Sequence, residues 1–349
     1  MEDTGRQRDD KIENRTVSDW SRAAPLLSNY PYHVDRIRPT DAVTAIVYTD
    51  TRAFEARLVP KPSATARLLL TDWMAEEGFR DTQRFIRTIY GDRMVPFGDQ
   101  QVLYVTDAWP GHPLRAEPDE VVSAAVQLAR VHRAMLGFRL HSSLQTELDE
   151  KSSVDWAQES LRTAVFFRDL RSDGRIRSHP LLLEWSLRFE EQSLMAHSAL
   201  TRVGYHDLLR RVQHEKRMAW SGNAWSAQRR VPPLGRMVTL QQADPSLGGP
   251  MVDLAAFCAE VLEFSDARTV LRAIAAYKRE FQADDSAWQA ALAYAVVPHK
   301  EQKWMEEQLS QANQQAASDR LSLSDPKVFS SRRQNALALL ATLGVEPRF

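Results

Sequence analysis

Polar and apolar residues alternate in three short runs near the start of the chain, HVDRIR (33–38), VTAIVYT (43–49) and AFEARLV (53–59). A period of two with many β-branched side chains predicts strands. Before them, Trp20, Ala23 and Leu27 would share one face of a short helix, while residues 1–16 carry too little apolar content to fold. Pro60 and Pro62 close the third strand, and Ser63 is placed to cap a helix running to Glu77, where Gly78-Phe79 stops it. Strands are expected again near 86–90 and 101–106, and DAWPGHPL (107–114) reads as a turn-rich connector. Beyond it the period changes. Glu117 to Gly137 carries an apolar stripe through Val121, Ala125, Leu128, Val131 and Met135. Helices are predicted at 154–171, 180–200, 204–215, 251–263, 266–281, 285–296 and 298–315. A last amphipathic helix, roughly 325–343, would dock on the body or on a partner.

The order divides the chain into a disordered tail (1–16), an N-terminal β-rich lobe (17–108), a C-terminal helical lobe (109–320) and a terminal amphipathic helix (321–349). This is an α+β, bilobal plan, with any ligand expected in the cleft between lobes. Charge is balanced, 45 Lys+Arg against 46 Asp+Glu, so nothing points to nucleic acid or an acidic membrane as partner. The single cysteine, Cys258, excludes an intramolecular disulfide framework and fits a buried, inert thiol within DLAAFCAEVL. No apolar run approaches the ~18 residues that span a bilayer. The charged N-terminus lacks a hydrophobic signal core, so a cytoplasmic protein is expected.

Several pieces then fall in a suggestive order: EEGF (76–79), VLYVTDAWPGHPL (102–114), AVQLARVHRA (125–134), GNAW (222–225), PMVDLAAF (250–257), and AYKREF with ALAYAVVPHKEQKW (276–304). In this order the chain resembles the aminoglycoside phosphotransferase and choline kinase superfamily, and within it the CotS-type, spore-coat-associated kinase-like proteins. The resemblance covers roughly residues 20–310 and implies a protein-kinase-like fold. That superfamily's pattern reads H-x-D-x-x-x-x-N, a hairpin, a strand ending in Asp, and D-L-A a dozen residues later.

Laid on this chain, the pattern keeps Asn223 and Asp253-Leu254-Ala255, but its histidine position is Lys216, its catalytic base Met218 and its metal-holding aspartate Gln241. A thioether cannot take a proton at neutral pH and is a poor ligand for Mg²⁺, and an amide lacks the charge that draws the ion. The phosphate-gripping lysine of the third strand falls at Arg57, whose planar fork does not simply replace an ammonium. Val105, Thr106 and Asp107 would form the nucleotide hinge, and Asp253 and His132 would be structural. Loss of base and metal ligand together removes transition-state electrostatics worth thousands-fold in rate.

The acids have few places to have moved. Asp244, three residues past Gln241, would reach a metal with Asn223 only on a shifted strand. His206-Asp207 sits in a helical stretch at the wrong spacing, and Lys216 after His214 is protonated unless buried. Trp220 and Trp225 either fill the helical core or close the former acceptor site, since such rings also anchor interfaces. The expectation is a catalytically inactive, pseudokinase-like protein with a structural or interaction role. The resemblance makes it a spore-coat protein, produced in the mother cell cytoplasm, deposited on the coat and partnered by coat or other proteins. No cofactor is expected on that reading. The alternatives are an ATP- and Mg²⁺-dependent small-molecule phosphotransferase with a rewired site, and a nucleotide-binding module without turnover.

Overall fold

The computed structural model describes residues 20–108, 111–141, 144, 155–173, 176, 180–215, 217–220, 225–226, 228–231, 236–239, 246–282, 284–314 and 328–346. Two compact units emerge: Met1–Pro113 with Ala134–Glu150 and Ala227–Pro245, and Leu114–Arg133 with Lys151–Ser226 and Ser246–Phe349. The expected tail, 1–16, lies outside the described residues.

The first unit is built on an antiparallel sheet of five strands, β1 (Val34–Pro39), β2 (Thr44–Thr49), β3 (Ala53–Pro60), β4 (Val95–Phe97) and β5 (Gln101–Asp107), in the order β1-β2-β3-β5-β4. The alternation read from the sequence sorts its two faces. Phe54, Ala56 and Leu58 of β3 join Ala45 and Val47 of β2 and Leu103 and Val105 of β5 in a core closed by Trp20, Leu27 and Tyr30. The opposite face carries Val59, Val102 and Tyr104, which pack with Phe85 and with Ala64 of helix α1 (Lys61–Glu76).

Three expectations need correction. Residues 86–90 form no strand. Phe85 makes one isolated bridge to Thr106, and the chain then turns, Gly91 at φ 90° donating to the Thr88 carbonyl. The sheet edge is instead Val95–Phe97. Ser63 does not cap α1. Pro60 takes the N-cap position with Pro62 just inside, where a missing N–H costs nothing, and Ser63 is buried within the helix. The connector also holds a two-residue strand, β6 (His112–Pro113), paired to the hairpin Gln228–Val231/Arg236–Thr239. Gly111 permits that approach, because a Cβ there would lie 2.7 Å from Cβ of Arg229.

The second unit is helical: α2 (Pro118–Ala134, its last residue falling in the first unit), α3 (Trp156–Leu170), α4 (Pro180–Arg202), α5 (Tyr205–Glu215), α6 (Pro250–Val261), α7 (Ala267–Glu280), α8 (Asp285–Ala295), α9 (His299–Gln314) and α10 (Val328–Thr342). Asp155, Asp266 and Asp284 cap α3, α7 and α8 with side-chain oxygens, satisfying first-turn N–H groups. The terminal helix α10 docks on this unit. Phe329 meets Phe189 and Trp304, and Arg332 reaches the buried Glu301 at 3.1 Å. Among the described residues no helix is long and apolar enough to cross a membrane.

Candidate functional site

In the first unit the candidate Arg57 lies on the α1-facing side of the sheet. Register places Arg57 opposite Thr44 on β2 and opposite Tyr104 on β5. Arg57 is 7% exposed and its Nε donates to Oε1 of Glu55, two residues back on the same strand, at 2.6 Å. Burial pulls its pKa down, but Glu55, Tyr104 and Asp41 together outweigh this and raise it, so the guanidinium stays charged. In protein kinases the helix after this strand supplies a glutamate to the strand lysine. Here α1 supplies a second cation, Arg67, 3% exposed, whose Nη1 donates to the Tyr104 hydroxyl at 2.8 Å. Burial raises the Tyr104 pKa against the pull of Arg67 and Arg57, so the phenol stays neutral. The face therefore buries two guanidiniums, Arg57 beside the Glu55 carboxylate and Arg67 beside the Tyr104 hydroxyl.

Arg67 and Glu55 escape the sequence reading. The available signal is a lone arginine in SATARLLL, at a helical position flanked by the buried Ser63, Ala64, Ala66, Leu70 and Thr71. The hinge candidates end the same sheet. Val105 and Thr106 are buried, and the Thr106 hydroxyl has no hydrogen-bond partner among the described residues. Asp107 pairs with Arg52 at 3.3 Å, and burial raises its carboxyl pKa against Arg52 and Arg84.

In the second unit the centre is Asp253, on the first turn of α6 and wholly shielded from solvent. Its Oδ2 accepts from the backbone N–H of Trp220 and lies 3.1 Å from Nε2 of His132. The other ring nitrogen, Nδ1, is 2.7 Å from the hydroxyl of Tyr277. A carboxylate only accepts, so Nε2 donates to it, while Nδ1 shares the remaining hydrogen bond with the tyrosine hydroxyl. Burial, then the Asp253 charge, drives the Tyr277 pKa far up, which keeps the phenol protonated. This chain of bonds ties α2, α6 and α7 to the short segment through Met218 and Trp220. Tyr277 lies within AYKREF, but the sequence reading assigns it no role of its own.

Met218 is 5% exposed, on a two-residue strand (Met218–Ala219) paired with Ser246–Leu247. Trp220 is fully buried, and Trp225 packs edge-on to Phe257 and against Phe264. Trp220 fills the helical core, and the half-buried Trp225 packs at its edge. His206 and Asp207 sit at the start of α5, with His206 4.0 Å from Asp155. Cys258 is buried, its thiol pushed up to about 12 by desolvation, and so is inert. Lys216, Asn223, Gln241 and Asp244 lie outside the described residues. Among the described residues no cluster of three His, Cys, Asp or Glu side chains could hold a metal. A thioether at Met218 and a solvent-sealed carboxylate at Asp253 do not fit Mg²⁺.

No protein-family model matches the sequence, and no curated protein matches it significantly. Solved structures do match in fold. An aminoglycoside phosphotransferase from Alicyclobacillus acidocaldarius superposes with a TM-score of 0.68 at 17% identity, over 91% of this chain and 94% of that one. A spectinomycin phosphotransferase, solved in complex with ADP and spectinomycin, gives 0.54 at 9% identity, over 93% and 98%. A microcompartment-associated aminopropanol kinase gives 0.51 at 11%, over 93% and 96%. Identities this low speak for architecture alone, and the chain has the α+β, kinase-like fold of the aminoglycoside phosphotransferases.

Proposed function

We propose that this chain is a kinase-like protein without phosphotransferase activity, acting as a structural or protein-interaction component. The observation that carries the reading is Met218, a buried thioether where the superfamily pattern places the catalytic base. The hydrogen-bonded frame around it, Asp253 with His132, Tyr277 and the Trp220 N–H, is intact. A kept frame around a lost base fits a scaffold better than an enzyme. Association with a bacterial spore coat extends the proposal and rests on the CotS-like motifs. It predicts the protein in coat extracts of mature spores and its absence from vegetative cells.

A second reading is favoured by the sheet face. Arg57 stands where the superfamily pattern places its phosphate-gripping lysine, with Arg67 on the same face, so on this reading nucleotide would bind without a metal. Thermal unfolding of the full chain with and without millimolar ATP and Mg²⁺ separates these readings. A ligand at about a hundred times its Kd adds roughly 2.7 kcal/mol to native stability. The scaffold reading expects no shift. A metal-independent shift selects the nucleotide-binding module. A shift that requires Mg²⁺ overturns both in favour of a phosphotransferase, the activity of the enzymes that share the fold.

A further inference from the structure

The sheet face that carries Arg57 also carries an anion of its own. Strand β3 sends Glu55, Arg57 and Val59 to the same side, and the register sets them in rows across the sheet. Glu55 lies between Ile46 of β2 and Thr106 of β5, and Arg57 between Thr44 and Tyr104. Neighbouring strands are about 5 Å apart, and residues two apart on one strand about 7 Å. Anything reaching across this face from the Thr106 end of β5 to Arg57 therefore passes beside Glu55.

The Glu55 carboxylate is fixed against the cation. Its side chain is 14% exposed, and Oε1 accepts from the Arg57 Nε at 2.6 Å. As structure the pair does little. Both partners belong to one strand, so it joins no element to another, and a buried ion pair is weak support for stability. In protein kinases the glutamate that pairs with the strand cation comes from the following helix, which leaves the sheet face to the nucleotide. Here the glutamate stands on the face itself.

The charges around Arg57 reinforce the effect. Asp41, in the turn between β1 and β2, acts on the same guanidinium, and its Oδ1 is held by the N–H groups of Val43 and Thr44. Arg67, the other guanidinium on this face, directs Nη1 to the Tyr104 hydroxyl. A phosphate brought to Arg57 meets the Glu55 carboxylate at close range in a partly desolvated place, where like charges repel strongly. It also competes with a charge-assisted hydrogen bond that is already made.

We propose that Glu55 takes the place of a phosphate group: it occupies Arg57 and excludes polyphosphates, nucleotides among them, from this face of the sheet. This role rests on the scaffold reading and gives the absence of nucleotide binding a cause at one residue. It is separate from the loss of acids at positions 218 and 241, which act through a metal. Removing the Glu55 charge alone opens the face to phosphate with no metal present.

The test is thermal unfolding of the full chain in EDTA, with and without millimolar inorganic tripolyphosphate and, separately, ATP. Wild type is compared with Glu55→Gln, which keeps an oxygen for the Arg57 Nε, and with Glu77→Gln. The latter removes the same charge from an exposed position at the end of α1 and reports non-specific attraction of anions. The Glu55→Gln midpoint is expected to rise with either polyphosphate, at an affinity at least about tenfold above wild type and Glu77→Gln. The rise should vanish in Glu55→Gln/Arg57→Met. Should Glu55→Gln fail to fold, Glu55→Gln/Arg57→Lys replaces it, because a buried ammonium can shed its proton where a guanidinium cannot. A wild type that responds as strongly as the variant overturns the proposal and the scaffold reading together. No response from either protein overturns the proposal alone, as does an equal response from Glu77→Gln.

Discussion

A carboxylate sealed from water, such as Asp253, holds its place only while donors face its oxygens. Asp253→Ala would orphan the Trp220 N–H and the His132 Nε2–H, each worth about 1–3 kcal/mol when buried unpaired. Urea unfolding should therefore register a loss of about 3 kcal/mol, and Tyr277→Phe a loss of about 1 kcal/mol through the same histidine. Because the groups act as one chain, the double variant should lose less than the sum. Strict additivity would mean that they do not cooperate. His299 gives a separate, pH-dependent signal. Its Nε2 is buried without a hydrogen-bond partner among the described residues, and burial lowers its pKa below the usual 6.5, with Glu159 opposing and Arg332 assisting. The unfolded chain then takes the proton first as pH falls. This contribution is complete above about pH 6.5 and is lost as pH drops towards the folded value. Thermal midpoints from about pH 7.5 to about pH 5.5 should fall more steeply for the wild type than for His299→Gln. Parallel curves would remove His299 from the account.

The elements were legible where burial falls on one face. β1 to β3 follow their period-two runs, and α2 to α10 lie within a few residues of the apolar stripes that predicted them. The exception is instructive. Residues 86–90 have the composition of a strand, yet the backbone bonds Ile86 N–H to Val105 and then turns through Thr88, Gly91 and Asp92, leaving the sheet edge to Val95–Phe97. Strand propensity describes a side chain's fit to a pleated surface and says nothing of which segment reaches it first. Chain ends are similarly opaque. The cap of α10 depends on one left-handed glycine, Gly344, and a β-carbon there would also lie 2.5 Å from Nη1 of Arg202. Gly344→Ala should cost about 1 kcal/mol through the positive φ, and Gly344→Asn less, since Asn tolerates that conformation. Equal midpoints for all three proteins would show that the cap does not hold Val345 in place.

At the scale of the molecule, the superfamily pattern drew attention to Met218, Gln241 and Asp253, while the pair of buried guanidiniums on the sheet stayed hidden. Arg57 was found because a pattern pointed to its strand. Arg67 was missed because helical periodicity does not say which sheet residue a buried guanidinium will meet, here the hydroxyl of Tyr104. The two facts pull in different directions. A fold that merely lost its acids should regain metal-dependent nucleotide binding once they return, whereas a fold rebuilt around their absence should not. Met218→Asp combined with Gln241→Asp decides between them. Met218 is only 5% exposed, so a carboxyl there meets a desolvated site, and its pKa should rise above the ordinary ~3.9. Its folded-state pKa being raised, the double variant should match the wild type most closely in acid and lose stability as pH rises through that value. At neutral pH its unfolding midpoint is expected to be lower than wild type and unmoved by ATP with Mg²⁺. A Mg²⁺-dependent rise in that midpoint, absent from either single variant, would mean that only the acids were lost, and that the rest of the phosphotransferase site is still in place.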